Sequence, residues 1–132
     1  MAIPDIGGTW SSHAGQQVAS MYTHNGVRHE LLLGGGDFEG RESIAARAQG
    51  WISAIPDLAV EVRRVTEGSN ATVAVEWTAR GIHQQDAPGY PAKGEQVNVL
   101  GVSVCTMEGD LIKEEWCYFD MAGMLAGAGV LS

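Results

Sequence analysis

Apolar residues recur every three to four positions between Arg41 and Ile55, and at every second position through much of the chain beyond Pro56. In "RESIAARAQGWISAI" the residues Ile44, Ala48, Trp51 or Ile52, and Ile55 share one stripe, which predicts an amphipathic helix with one buried face. Pro56 ends it, because the residue before a proline disfavours the helical region. Gly50 weakens its middle by about 1 kcal/mol relative to alanine. Beyond the helix lie "LAVEVRRVTE", "ATVAVEWTARGIH", "EQVNVLGVSVCTM" and "LIKEEWCYFD". These read as strands, separated by the turns "EGSN" and "MEGD" and the loop "QQDAPGYPAKG".

The first third is less regular. "PDIGGTW" holds a proline and two glycines, so a helix is expected only from about Ser11 to Met21, with Ala14, Val18 and Met21 or Tyr22 on its inner face. After a turn at "HNG", the run "VRHELLL" predicts a strand with Val27, His29, Leu31 and Leu33 inward and Arg28, Glu30 and Leu32 outward. "GGGDFEG" reads as a plain loop, since it lacks the Lys-Ser/Thr pair of a phosphate-binding loop and the acidic partner of a dinucleotide fold. Helix, strand, helix, then consecutive strands is an α+β order, with helices packed on one face of a curved, mainly antiparallel sheet. A cone built this way leaves a pocket at its open end.

Composition narrows the function classes. The 132 residues fit one domain with a sizeable core. Eight Lys plus Arg against sixteen Asp plus Glu give a net charge of −8, which repels phosphate backbones and anionic lipid surfaces. Nucleic-acid and membrane partners are therefore not expected. "MAIPDIGGTW" has neither a basic nor an apolar leader region, and the uncharged stretch Met121–Ser132 is too short and glycine-rich to span a bilayer, so a soluble, cytoplasmic protein is expected. The sequon Asn70-Ala71-Thr72 carries little meaning without a secretory signal. The hairpin near "MEGDL" places Cys105 opposite Lys113 or Glu114 and Cys117 opposite Gly101 or Val102, so both are expected as free thiols.

Taken in order, "FEGRESI", "AIPDLAVEVRRV", "VAVEWTARGIH", "PAKGEQVNVLGVSV" and "GDLIKEEWCYFDMAGML" resemble the SnoaL-like polyketide cyclase family of the nuclear transport factor 2-like superfamily, from about Trp10 to Leu125. The resemblance implies a cone-shaped α+β barrel around a deep, mostly apolar cavity, a homodimer, and chemistry without a cofactor. Family members carry a long first helix whose last turns look like "WSSH" here, so that helix is expected to be truncated and one cavity wall altered.

Several residues are candidates for chemistry. In "LIKEEWCYFD" one parity holds Ile112, Glu114, Trp116, Tyr118 and Asp120, and the resemblance places the last three on the cavity face. In these cyclases an Asp at this position is the acid/base of an intramolecular aldol closure, a role suited to a carboxyl raised toward neutrality by burial. Asp120 also stands where a helix cap would precede "MAGML", which would lower its pKa instead, and both readings are open at this point. His83 resembles the histidine of the family's "TGTH" and points toward the pocket mouth, while His29 sits inward on its strand; either suits proton shuttling or carbonyl polarisation. A lone histidine is more often a satisfied structural residue.

Tyr22, Trp51, Trp77, Trp116, Tyr118, Met121 and Met124 are expected to line the cavity. Ketosteroid-isomerase-like chemistry is disfavoured because the parity of Glu30 points it outward, and epoxide-hydrolase-like chemistry because only Asp120 among the aspartates looks inward. His13, His24, His29 and His83 lack metal-ligand spacing. The expectation is a cofactor-independent acid/base enzyme acting on a small hydrophobic, ring-type molecule, with a non-catalytic binding protein as the alternative. A dimeric interaction module is a third reading, with Lys113, Glu115, Cys117 and Phe119 on the outer sheet face as the dimer surface.

Overall fold

The computed structural model describes residues 2–32, 35–86 and 94–120. Two short helices, α1 (Ile6–Ser11) and α2 (Gly15–Ala19), lead into strands β1 (Tyr22–Leu31) and β2 (Gly36–Glu39). A longer helix, α3 (Arg41–Ala54), follows, and then β3 (Ala59–Glu67), β4 (Thr72–Ile82), β5 (Gln96–Glu108) and β6 (Leu111–Phe119). The strands form one curved sheet in the order β2-β1-β6-β5-β4-β3, antiparallel at every junction except β1 with β6. The fold is α+β, as expected from the order of elements.

Regular structure starts earlier than "PDIGG" suggests. The Asp5 side chain accepts the Gly8 N–H at 3.0 Å and so caps α1, and Ile6 and Trp10, one turn apart, bury the same face. The cap also accounts for Gly8, since a Cβ there would lie 2.3 Å from Asp5 Oδ2. The helix expected from Ser11 to Met21 is interrupted at His13, whose φ of 62° is left-handed, and only its second part survives as α2. No continuous helix runs from Ala2 to Ser20.

The helix α3 forms where the periodicity places it, burying Ile44, Ala48, Trp51 and Ile52 and ending before Pro56. The glycine-rich segment is not only a loop. It contains β2, which pairs with β1 from Glu39 opposite Val27 to Gly36 opposite Glu30. The strand β4 alternates as expected, with Val73, Val75, Trp77, Gly81 and, just past its end, His83 buried on the concave face.

Two strands present the opposite face from the one expected. In β6 the pairing with β5 skips a residue: Met107 faces Ile112 but Thr106 faces Glu114, so Lys113 is extra. This bulge reverses the alternation after Ile112. Glu115 and Cys117 are buried and Phe119 turns inward, whereas Trp116 and Tyr118 lie on the outer face. In β1 the apolar residues Val27 and Leu31 point outward, and Arg28 and Glu30, 3% exposed each, point in. The inward preference follows from charge complementarity, because Arg28 stands directly opposite Glu115 across the β1/β6 pair. The bulge also moves the cysteines, setting Cys105 opposite Glu115 and Cys117 opposite Ser103. Both are buried free thiols.

Candidate functional site

The concave face of the sheet, α1 and the end of α3 enclose a pocket with about 660 Å³ of empty space, part of it open to solvent. Trp10, Trp51, Trp77 and Phe119 supply its aromatic walls, with Val97 and Val99 between them. Gly101 makes the Trp77 wall possible, since a Cβ there would lie 2.3 Å from the indole ring. Phe119 stands edge-on to both Trp77 and Trp51, with centroids 5.4 and 6.1 Å apart. The polar groups of the lining are Arg28, Ser103 and Cys117 at the floor and the half-exposed Arg80 at the rim.

Behind the floor lies a buried ionic network. Arg28 donates from Nε to Glu30 Oε2 at 2.9 Å, from Nη1 to Glu115 Oε1 at 2.8 Å, and from Nη2 to Cys117 Sγ at 3.6 Å. Its guanidinium also lies 5.0 Å from the Trp10 ring centroid. Glu30 is tied further by Arg47 Nη2 at 2.7 Å and the Trp51 indole N–H at 3.3 Å. The Tyr22 hydroxyl donates to Glu115. At the sheet centre Trp77 donates to Ser103, whose hydroxyl reaches Cys117 Sγ at 3.7 Å.

The network fixes its own ionisation. Burial raises the carboxyl pKa of Glu30, but Arg28 and Arg47 outweigh it and hold the group below its ordinary value. Burial likewise opposes charge on Arg28, and Glu115 ahead of its other neighbours holds the guanidinium well above its usual range. Burial, reinforced by the carboxylate of Glu115, lifts Tyr22 well above an ordinary phenol. The Cys117 thiol is pushed up by burial to about 12, so it is neither nucleophile nor base at neutral pH.

The sequence candidates are scattered by this arrangement. Trp51 and Trp77 line the pocket. Tyr22 is fully buried, in the network behind the floor. His83 is 4% exposed, on the concave face one layer beyond the Gly81–Val97 pair, and its Nε2 has no hydrogen-bond partner among the described residues. His29, expected inward, lies on the outer face, as do Trp116 and Tyr118. Asp120 is exposed just past β6, its N–H donating to Leu100 C=O at 2.8 Å. Met121, Met124 and the helix that Asp120 would cap lie outside the described residues. Glu115, Cys117 and Phe119, expected on the outer dimer surface, are instead parts of the concave side.

Sequence reasoning missed Arg28, Glu30, Arg47, Glu115, Ser103 and Cys117. The one available signal was the same-parity pair Arg28 and Glu30 beside an unusually charged last strand. Among the described residues no cluster of His, Cys, Asp and Glu is arranged to hold a metal ion. No described helix is long and apolar enough to cross a membrane.

His29 has a structural role on the outer face. Its Nδ1 meets Asp37 at 2.7 Å and its Nε2 meets Glu114 at 2.6 Å, while its ring stacks on Trp116 at 5.4 Å, linking β2, β1 and β6. Partial burial lowers its pKa, but the two carboxylates outweigh this and raise it above 6.5. A raised imidazole pKa stabilises the fold fully below about 6.5, and that contribution is lost as pH rises through the folded value. The melting-temperature gap between wild type and His29→Gln is therefore expected to be widest in mild acid and to shrink toward alkaline pH. A gap that widens with pH would contradict this assignment.

This is the ketosteroid isomerase-like fold, an α+β cone with its pocket on the concave side of the sheet. The chain belongs to the SnoaL-like polyketide cyclase family, which it matches over residues 8–127. Among curated proteins no sequence relative matches it. Solved structures agree on the fold. A candidate SnoaL-like polyketide cyclase from Jannaschia sp. CCS1 superposes with a TM-score of 0.79 at 19% identity, over 98% of this chain and 88% of that one. IdmH, a candidate polyketide cyclase from Streptomyces antibioticus, gives 0.76 at 21% identity, over 95% and 94%. A protein of ketosteroid isomerase-like fold from Catenulispora acidiphila DSM 44928, in complex with trimethylamine, gives 0.78 at 17% identity, over 96% and 89%.

Proposed function

We propose that the chain is a cofactor-independent acid/base enzyme that holds a hydrophobic, ring-containing carbonyl compound and closes or isomerises it through an enolate. The observation that carries this reading is the aromatic-walled, largely apolar pocket with the buried side chain of Arg28 in its lining. An enolate oxygen that reaches the guanidinium gains a preorganised, water-shielded partner, an effect worth roughly 3–4 kcal/mol of barrier where single donors have been removed from comparable sites. A base outside the described lining takes the proton from the α-carbon, because His83 lies just past β4, eight residues beyond Val75, the position level with Ser103 and Cys117, roughly 26 Å along the strand. The enolate carbon then bonds to a second carbonyl carbon, and the resulting alkoxide recovers the proton, so atoms balance without an added reactant. Arg28 and Cys117 hold their protons at neutral pH and are not that base.

The alternative, a non-catalytic carrier, is favoured by the absence of any carboxylate or imidazole from the described pocket lining. Exchange of the α-protons of tetralone in heavy water, followed by NMR, separates the two. Exchange accelerated by the protein well above buffer is expected. Binding without exchange would establish the carrier.

The outer sheet face supports a second proposal, a homodimer. Leu31, Leu100 and Tyr118 stand there 44%, 59% and 46% exposed, an apolar patch beside the His29 cluster. Light scattering is expected to give twice the chain mass, and Leu100→Glu the monomer. A wild-type monomer at high concentration would end the proposal.

A further inference from the structure

Resting on the pocket reading and deepening it, we infer that Gly101 sets how many fused rings a ligand can carry, because it leaves its own place on the sheet to the Trp77 indole and so fixes the depth of the pocket. The register puts Gly101 where two aromatic walls meet. It stands opposite Trp77 on β4 and opposite Phe119 on β6, and the two rings meet edge to face across it with centroids 5.4 Å apart. A Cβ at position 101 would lie 2.3 Å from both Cζ2 and Cη2 of Trp77, on the benzene half of the indole. Ordinary contact between carbon atoms begins about 1 Å further out, so the ring occupies space that any other residue there would fill. Glycine weakens the interior of a strand and marks a place where another group comes close. Here that group is a wall of the pocket.

The indole cannot yield to a side chain at position 101 without entering the pocket. Its N–H donates to Ser103 Oγ at 3.1 Å, on the same face of β5, and Ser103 is 1% exposed and bonded in turn to Cys117. The buried side chain of Val99 closes the other direction along β5, and Phe119 closes the way across to β6. What remains is movement off the sheet, toward Trp10 on α1 and Trp51 on α3. A planar ligand between aromatic walls needs about 3.5 Å on each face, so a loss of about 1 Å shuts the deep end to large ring systems and leaves smaller ones room at the mouth. The Trp77 and Trp51 N–H groups are already bonded to Ser103 and Glu30, so these two walls select by shape.

Indanone and fluorenone, which share a fused cyclopentanone and differ by one ring, test this through quenching of tryptophan fluorescence in the whole chain. Wild type is expected to bind both, with fluorenone about tenfold tighter because more apolar area is buried. In Gly101→Ala, fluorenone is expected to weaken by about tenfold or more while indanone stays within about threefold. Adding Trp77→Phe removes Cζ2 and Cη2, the atoms that collide, so the double variant is expected to regain fluorenone. A Gly101→Ala protein that loses both ligands equally, keeps fluorenone at the wild-type affinity, or is not rescued by Trp77→Phe overturns the inference and leaves the pocket reading intact. If Gly101→Ala does not fold, the double variant is compared with Trp77→Phe alone. Equal fluorenone binding in those two supports the inference, and a deficit of about tenfold in the double variant overturns it. If neither ketone binds wild type, the pocket reading falls and the inference with it.

Discussion

Arg28→Met is expected to destabilise the fold by about 3–5 kcal/mol, measured by urea unfolding at neutral pH. The side chains of Glu30 and Glu115 are 0% and 2% exposed. Without Arg28, Glu115 keeps the Tyr22 hydroxyl but no cation among the described residues, and Glu30 keeps Arg47 and Trp51. The cost is that of two buried carboxylates losing their shared cation, a large fraction of the roughly 5–15 kcal/mol that holds a domain of this size. Lowering the pH should narrow the gap. Wild type loses stability as acid protonates Glu30, whose folded pKa is depressed. In the variant Glu30 has already lost Arg28, so less stability remains for its protonation to remove. Pairing Arg28→Met with Glu115→Leu should restore much of the loss, because an apolar pair of similar volume carries no desolvation cost. A single variant within about 1 kcal/mol of wild type would show that the network is not balanced as described.

The same network marks where sequence reasoning stopped. The helix α3 and the strand β4 were legible because their apolar periods are long and uninterrupted, and both hold the faces assigned to them. The segment α1 was not, because Pro4, Gly7 and Gly8 outweigh Ile6 and Trp10 in any propensity sum, while the Asp5 cap that rescues the helix depends on a specific bond. The faces of β1 and β6 were inverted for related reasons. In β6 a single inserted residue, Lys113, turns a correct parity at Ile112 into a wrong one at Trp116 and Tyr118. In β1 hydrophobicity favours Val27 and Leu31 as the inner set, and only the partner across the sheet, Glu115, reverses the preference. Bulges and cross-strand charge pairs are both properties of two strands together. A rule applied to one strand at a time therefore assigns the most apolar parity to the core, and here that parity faces solvent.

His83→Phe is expected to raise stability, measured by urea unfolding. A buried imidazole nitrogen without a partner costs about 1–3 kcal/mol of desolvation, and a ring of similar size without polar atoms removes that cost. A polar atom that weakens the fold and bonds to no described group is either a defect or a group held ready for a ligand. Its position favours the second, because His83 continues the concave face of β4 one layer beyond the Gly81–Val97 pair, and Val97 lines the pocket. Asp120→Asn tests the tetralone exchange itself. Asp120 is exposed past the end of β6, and Asn preserves its shape and capping ability, so exchange should stay near the wild-type rate. Loss of exchange in Asp120→Asn would assign the proton transfer to the end of the last strand. Loss of stability in His83→Phe would make the histidine a structural residue.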